Sequence, residues 1–175
     1  WLNEGFATWM ESKAIGAWKP EWNISQEEAL SLDDVLNYDA GKTTRTILAK
    51  ADTPSQINEM FDGITYQKGG AVLAMTENYE GPEIFRRGVH RYLEAHMYGN
   101  ATAEDFWNAQ TETSGKPIDK VIDSFIAEPG VPLLTFGSPK NGSTSAAQQG
   151  FELDPETHAD QPRTWIVPGC FRTGA

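Results

Sequence analysis

The chain has 175 residues, a formal net charge of −11 and a hydrophobic share of 39%, which suffices for one compact domain, or for one domain with part of another. The acidic balance argues against nucleic acid as a partner, because phosphates attract basic surfaces. A single cysteine excludes an internal disulfide and any cysteine-based metal cluster, and we find neither an apolar run long enough for a membrane span nor a signal-peptide pattern at the start.

The first predicted element is a helix that starts with the chain itself, without an initiating methionine or a capping run, so we expect an internal part of a longer protein. Its apolar residues recur at helical spacing on one side: Leu2, Phe6, Trp9 and Met10. Glu4 and Glu11 fall on the opposite side, which also carries apolar neighbours, so most of the helix surface is expected to be covered. A buried carboxylate is costly unless it is paired or holds a metal.

Six further helices are predicted from the spacing of apolar residues, over about 26–38, 54–61, 64–79, 82–92, 103–114 and 118–125. Thr53 precedes a proline and is expected to cap the helix that follows. Thr102 and Asp105 have the spacing of a capping box. The chain up to about residue 129 is therefore predicted to be mainly α-helical.

Composition changes near Gly130, where we expect a domain boundary. Extended runs at 131–136, 151–153 and 165–168 are separated by a polar turn and by an acidic, proline-containing connection. Such strands are too few to close a sheet. We therefore expect residues 1–129 to end one domain and residues 130–175 to begin another.

The opening string W-L-N-E-G-F-A, followed by Glu11, resembles the segment that supplies the third zinc ligand in the aminopeptidase N-like gluzincin zinc metallopeptidases. In that family, H-E-x-x-H on the preceding helix supplies two histidine ligands and the general-base glutamate. The resemblance implies that Glu4 binds one Zn²⁺ together with ligands upstream of this chain. Glu11 could support the site from behind a ligand, although a structural salt bridge explains it equally well. By itself, Glu4 would be read as a solvated or paired glutamate.

The string I-T-Y-Q-K-G-G at residues 64–70 resembles the catalytic-tyrosine segment of the same family. The residues alone are also typical of a buried tyrosine beside glycines that let another helix pack closely. Helical spacing places Tyr66 on a face with Gly69, Gly70 and Leu73. The resemblance implies that its phenol donates a hydrogen bond to the oxyanion of the tetrahedral intermediate, as a neutral donor that does not compete for the metal.

Further stretches that resemble the family lie at residues 78–96, 101–107, 131–136, 150–155 and 165–172. The resemblance therefore extends over nearly the whole chain, although only the two strings above are specific for function. It implies the C-terminal helical part of a thermolysin-like catalytic domain, followed by the first strands of a β-sandwich domain.

The remaining candidates are interpreted as structural or solvated. His90 and His96 are six residues apart, so on a helix they diverge by roughly 120° and do not face one metal. His158 lies in the polar connection, and Cys170 has no matched base in the sequence. The basic run at 86–91 is typical of a solvated helix face.

These resemblances imply that the intact protein is a zinc aminopeptidase acting on peptides with a free N-terminus. The choice of exopeptidase follows from the resemblance alone, since the G-x-M-E-N motif that holds the substrate amine would also lie upstream. Two alternatives stay open: a non-catalytic relative that binds proteins with the same scaffold, and a bifunctional relative that also opens a lipid epoxide. With one of three ligands, this chain alone is expected to be inactive.

Overall fold

The structure, a computed structural model, describes residues 1–153 and 162–169. Helices dominate the described residues, and their bounds are α1 (Leu2–Trp18), α2 (Ile24–Asp39), α3 (Pro54–Glu59), α4 (Gly69–Glu80), α5 (Pro82–Ala95), α6 (Ala103–Ser114) and α7 (Ile118–Ile126). A 3₁₀ turn at Pro20–Trp22 follows α1, and a π-helix at Ile64–Lys68 leads into α4. This mainly helical architecture, with a small sheet at its C-terminal end, confirms the predicted fold class.

The sheet is a single antiparallel hairpin in the described part of the chain. Strand β1 (Pro132–Phe136) pairs with β2 (Ala146–Gly150), and Pro132 lies opposite Gly150. β1 was predicted, whereas the extended runs predicted at 151–153 and 165–168 form no strand. The signal for β2 was Asn141-Gly142, whose backbones both have positive φ, as a tight hairpin turn requires. The expectations for His158 and Cys170 lie outside the described residues.

Both predicted helix caps are confirmed. Thr53 accepts a hydrogen bond from the backbone N–H of Gln56, whose side chain accepts from the backbone N–H of Thr53. Thr102 and Asp105 form the same reciprocal pair at the start of α6. Each cap satisfies donors that the first helical turn leaves without a partner.

Two hydrophobic clusters form the core. The larger one gathers residues of α7 with apolar side chains from α2, the π-helix, α4, α6 and two segments outside the helices and strands: Val35, Ile47, Ile64, Val72, Trp107, Ile118, Ile122, Phe125, Ile126 and Trp165. The smaller one consists of Leu73, Phe85 and Phe106. No helix of the described residues combines the length and the hydropathy needed to cross a membrane.

Helix α1 contacts both clusters. Trp1 packs against the larger cluster, whereas Leu2, Phe6 and Trp9 pack against the smaller one, as the predicted apolar side of this helix requires. Met10, predicted on the same side, is 42% exposed. We expected most of the surface of α1 to be covered. Within the described residues this expectation is not met, because Gly5 is the single fully buried residue of α1 there.

Candidate active site

Glu4 and Tyr66 lie beside the same helix crossing. Helix α1 meets the start of α4 through backbone contact, because a Cβ atom added to Gly5 would lie 3.0 Å from the carbonyl carbon of Gly69. Glu4 directly precedes Gly5, and Tyr66 lies one helical turn before Gly69. The glycines beside Tyr66 thus allow the close helix packing that the structural interpretation of this segment described, and this packing brings the elements of both predicted site residues together.

Tyr66 lies in the π-helix rather than in the continuous α-helix that the sequence predicted for 64–79. The carbonyl oxygen of Gly63 accepts from the N–H groups of both Gln67 and Lys68, each at 3.0 Å. The N–H of Gly69 then donates to Ile64, five residues back. Such π-turns insert one extra residue into a helix and are frequent at functional sites.

A polar network holds the beginning of the π-helix. Asp62 Oδ1 accepts hydrogen bonds from the backbone N–H groups of Ile64 and Thr65, at 3.0 and 3.2 Å. Arg45 Nη2 lies 2.7 Å from the same oxygen and also donates to the Thr65 hydroxyl and to the Met60 carbonyl. One carboxylate therefore caps the first turn and is itself fixed by a guanidinium.

A buried ion pair holds the end of the π-helix. Lys68 Nζ lies 2.7 Å from Asp39 Oδ2, at the end of α2, and donates to the carbonyl oxygen of Gly130 at 2.9 Å. Asp39 Oδ1 in turn accepts from the N–H of Gly130 at 3.0 Å and from the Thr44 hydroxyl. Burial lowers the pKa of Lys68, and the neighbouring Asp39 carboxylate opposes that shift.

Sequence reasoning missed both polar pairs. Their partners are far apart in the chain, so no local spacing connects Arg45 with Asp62 or Asp39 with Lys68. Asp39 lies one residue beyond the helix predicted over about 26–38. The available signal was the presence of a charged residue near each end of the I-T-Y-Q segment, Asp62 before it and Lys68 after it. A charged residue needs a partner if it is buried.

The Tyr66 side chain is half-buried and its hydroxyl has no hydrogen-bond partner among the described residues. Its ring centroid lies 6.5 Å from that of Phe61, with the two ring planes at 46°. A phenol held on one side and free at its oxygen can donate a hydrogen bond to a bound molecule.

The Glu4 carboxylate lies in the first turn of α1, with 27% of its side chain exposed and the α-amino nitrogen of Trp1 at 3.9 Å. A carboxylate oxygen suits zinc as a ligand, and a catalytic zinc uses three protein ligands. No group of three or more histidine, cysteine, aspartate or glutamate side chains forms a metal site within the described residues. Glu4 therefore fits one ligand position, and the described residues do not provide the complete set.

Glu11 faces a different part of the molecule. It is exposed and lines a groove of about 1010 Å³ between α1, α2 and α4, which neither Glu4 nor Tyr66 lines. Glu11 lies two helical turns beyond Glu4, roughly 10 Å along the axis. Its supporting role at a metal remains a prediction.

Two histidines and two arginines, in α5 or directly after it, lie near separate carboxylates. His90 Nε2 lies 3.4 Å from Glu94, and His96 Nε2 lies 4.0 Å from Asp105. The arginines of the basic run at 86–91 are exposed, and two of them pair with glutamates. This arrangement is typical of a solvated helix face.

Comparison with known proteins assigns the chain to a family. The family model described as "Peptidase family M1 domain" matches residues 1–125. Glutamyl aminopeptidase of Bitis rhinoceros is 34% identical, over 99% of this chain and 18% of that protein. Human glutamyl aminopeptidase is 35% identical, over 96% and 18%. Tricorn protease-interacting factor F2 of Thermoplasma volcanium is 37% identical, over 88% and 20%. The chain spans about a fifth of the length of these curated relatives, and it belongs to peptidase family M1.

Proposed function

We propose that the full-length protein is a zinc-dependent aminopeptidase that hydrolyses N-terminal residues from peptides. Membership of a peptidase family and relatives that are named aminopeptidases support this proposal. Within it, residues 1–129 are the end of the catalytic domain, and residues 130–175 begin a β-sandwich domain. The observation that carries the proposal is the crossing at Gly5 and Gly69, which Glu4 and Tyr66 flank from two different elements.

In this proposal Glu4 holds the metal and Tyr66 acts on the substrate. When bound, zinc supplies a Lewis acid that polarises the scissile carbonyl and lowers the pKa of a coordinated water. The Tyr66 O–H donates a hydrogen bond to the carbonyl oxygen as negative charge develops there. Because the π-helix is fixed at both ends, this donor needs little reorganisation during the reaction, which is the condition for strong electrostatic stabilisation.

The role of Glu4 is tested by metal analysis of the full-length protein. Glu4→Ala removes one of the three expected protein ligands, so we expect zinc to fall well below one ion per molecule. Glu11→Ala in the same helix removes no proposed ligand and should keep stoichiometric zinc, with affinity lowered roughly 10- to 100-fold if Glu11 orients a ligand. Unchanged zinc content in Glu4→Ala would refute the ligand assignment.

The role of Tyr66 is tested by hydrolysis of an aminoacyl anilide. Tyr66→Phe removes only the phenolic O–H, so zinc should remain bound while kcat falls by roughly 100- to 1000-fold, the usual cost of one oxyanion donor. Tyr38→Phe, at an exposed tyrosine of α2, should leave kcat unchanged. An unaltered kcat in Tyr66→Phe would remove this residue from the mechanism.

A further inference from the structure

The Lys68–Asp39 pair is the most deeply buried ion pair among the described residues, with side-chain exposures of 3% and 0%. Taking two charges out of water costs several kcal/mol per ion, so a buried pair of this kind contributes little net stability. Hydrophobic residues of similar volume would often serve the fold equally well. A role in stability alone therefore does not explain why a cation and an anion occupy this position.

The partners of the pair give it a fixed geometry. Both backbone polar groups of Gly130 are engaged, the carbonyl by Lys68 and the N–H by Asp39. Gly130 has a φ of +79°, and a Cβ atom there would lie 2.7 Å from Arg163 Nη1. The ammonium group of Lys68 thus binds to a carboxylate and a backbone segment that are themselves immobilised.

The position of Lys68 connects this geometry to Tyr66. Lys68 is the last residue of the π-helix, and its N–H donates to Gly63, five residues back. α4 is fixed on α1 by the glycine crossing, whereas Tyr66 lies before α4, within the π-turn that contains one extra residue. Relaxation of the π-turn to an α-helix would therefore rotate Tyr66 by roughly 100° relative to α1.

We propose that Lys68 and Asp39 are positioning residues for Tyr66, which hold the π-helical register in which the phenol faces the reacting carbonyl. This inference rests on the role of Tyr66 in the proposed function. The pair does not touch the substrate. It acts through the backbone of the turn that carries Tyr66, together with the Asp62–Arg45 network at the opposite end of that turn.

The test is a double-mutant cycle on kcat in the full-length protein. Lys68→Met keeps an unbranched side chain that is one heavy atom shorter and removes its charge. We expect kcat to fall roughly tenfold or more while KM and zinc content change less than about twofold. In a Tyr66→Phe background the same substitution should change kcat by less than about twofold, because the group that it misplaces is already absent. Equal factors in the two backgrounds would overturn the inference.

Lys68→Met leaves the Asp39 carboxylate buried without its cation, so the cycle is repeated with the doubly neutral variant Asp39→Asn/Lys68→Met. This variant leaves no lone buried charge and should give the same dependence on Tyr66. If Lys68→Met does not fold, the doubly neutral variant decides the question. Equal factors in its two backgrounds overturn the inference as well.

Val121→Ala is the control for loss of stability. Val121 is 1% exposed in α7, a helix that contributes no residue to either polar network. Its truncation should lower Tm while leaving kcat per folded molecule unchanged. If Tyr66→Phe alone leaves kcat unchanged, the proposed function of Tyr66 fails and the positioning inference falls with it. If Tyr66→Phe slows hydrolysis but Lys68→Met acts equally in both backgrounds, only the positioning inference is overturned.

Discussion

At the scale of single residues, the carboxyl group of Glu80 is buried, and neither of its oxygens has a hydrogen-bond partner among the described residues. It lies at the C-terminal end of α4 and is 4% exposed. The nearby Ser114 hydroxyl donates to the carbonyl oxygen of Gln110 instead. Burial raises the pKa of Glu80 to about 7, and the opposing effects of Ser114 and Lys116 are smaller.

The raised pKa makes stability depend on pH. The folded state retains the Glu80 proton up to about pH 7, whereas the unfolded chain releases it near the ordinary value of 4.5. The stabilisation that protonated Glu80 contributes is therefore fully present below its pKa in the unfolded chain. It is lost as pH rises through its pKa in the folded protein. Glu80→Gln removes this ionisation, so at pH 8 it should stabilise the full-length protein by roughly 1–3 kcal/mol, with a much smaller gain at pH 5. The measurement is Tm at the two pH values.

Glu77→Gln, one turn earlier in α4, is the control. Glu77 accepts from Trp9 Nε1 at 2.9 Å and pairs with Lys13, so its neutralisation should lower Tm at both pH values. A Glu80→Gln variant whose Tm relative to the parent is the same at pH 5 and pH 8 would contradict the assignment.

How well a site residue could be predicted depended on where its partners lie. Glu4 and Tyr66 were predicted as site residues because each lies in a short string that resembles a motif of the family. The residues next to Lys68 and Asp39 in the sequence do not indicate their role, because that role follows from the contacts of the two side chains with each other and with Gly130. Contacts between residues so distant in sequence are set by tertiary packing and leave no local pattern.

At the scale of elements, the α1–α4 crossing depends on glycine at its contact point. Gly5→Ala places a Cβ atom 3.0 Å from the Gly69 carbonyl carbon and 3.2 Å from its Cα, and backbone atoms cannot turn aside as a side chain can. The helices must separate, which should destabilise the protein by roughly 1–3 kcal/mol. Because α1 carries Glu4, the proposed zinc ligand, zinc affinity should fall as well. Both effects are measurable, by thermal unfolding and by competition with a chelator.

Gly16 in the same helix offers a matched substitution. A Cβ atom there would have no neighbour within 4 Å, so Gly16→Ala should stabilise α1 by roughly 0.5–1 kcal/mol through backbone entropy alone. A Gly5→Ala variant that is as stable as Gly16→Ala would show that the helices do not need the close approach.

The positions of the helices could be predicted from the sequence because helical periodicity is a local property. The six predicted after α1 all correspond to observed helical segments, with ends that differ by a few residues. The π-turn was not predictable in this way, since Ile64, Val72 and Met75 keep an apolar side compatible with an uninterrupted helix. Strand β2, with the sequence A-A-Q-Q-G, carries no apolar alternation, and only its pairing with β1 makes it a strand.

At the scale of the whole molecule, α1 joins the two hydrophobic clusters that the sequence did not separate. Trp1 stacks near Trp107 in the larger cluster, with ring centroids 6.4 Å apart. Phe6 meets Phe106 in the smaller one at 6.1 Å. Periodicity showed which side of each helix is apolar, but which apolar sides meet is decided by the packing of all helices together.

Gly130 lies at the predicted boundary between the helical part and the β-hairpin, where a glycine with positive φ would ordinarily be read as a hinge. Its N–H and its carbonyl are both engaged by the ion pair that ends the π-helix, and Arg163 fills the space that a side chain would need. Rotation about this glycine would break both hydrogen bonds. Gly130 is therefore a rigid joint, and any bending between the helical part and the segment after it must be accommodated at other residues.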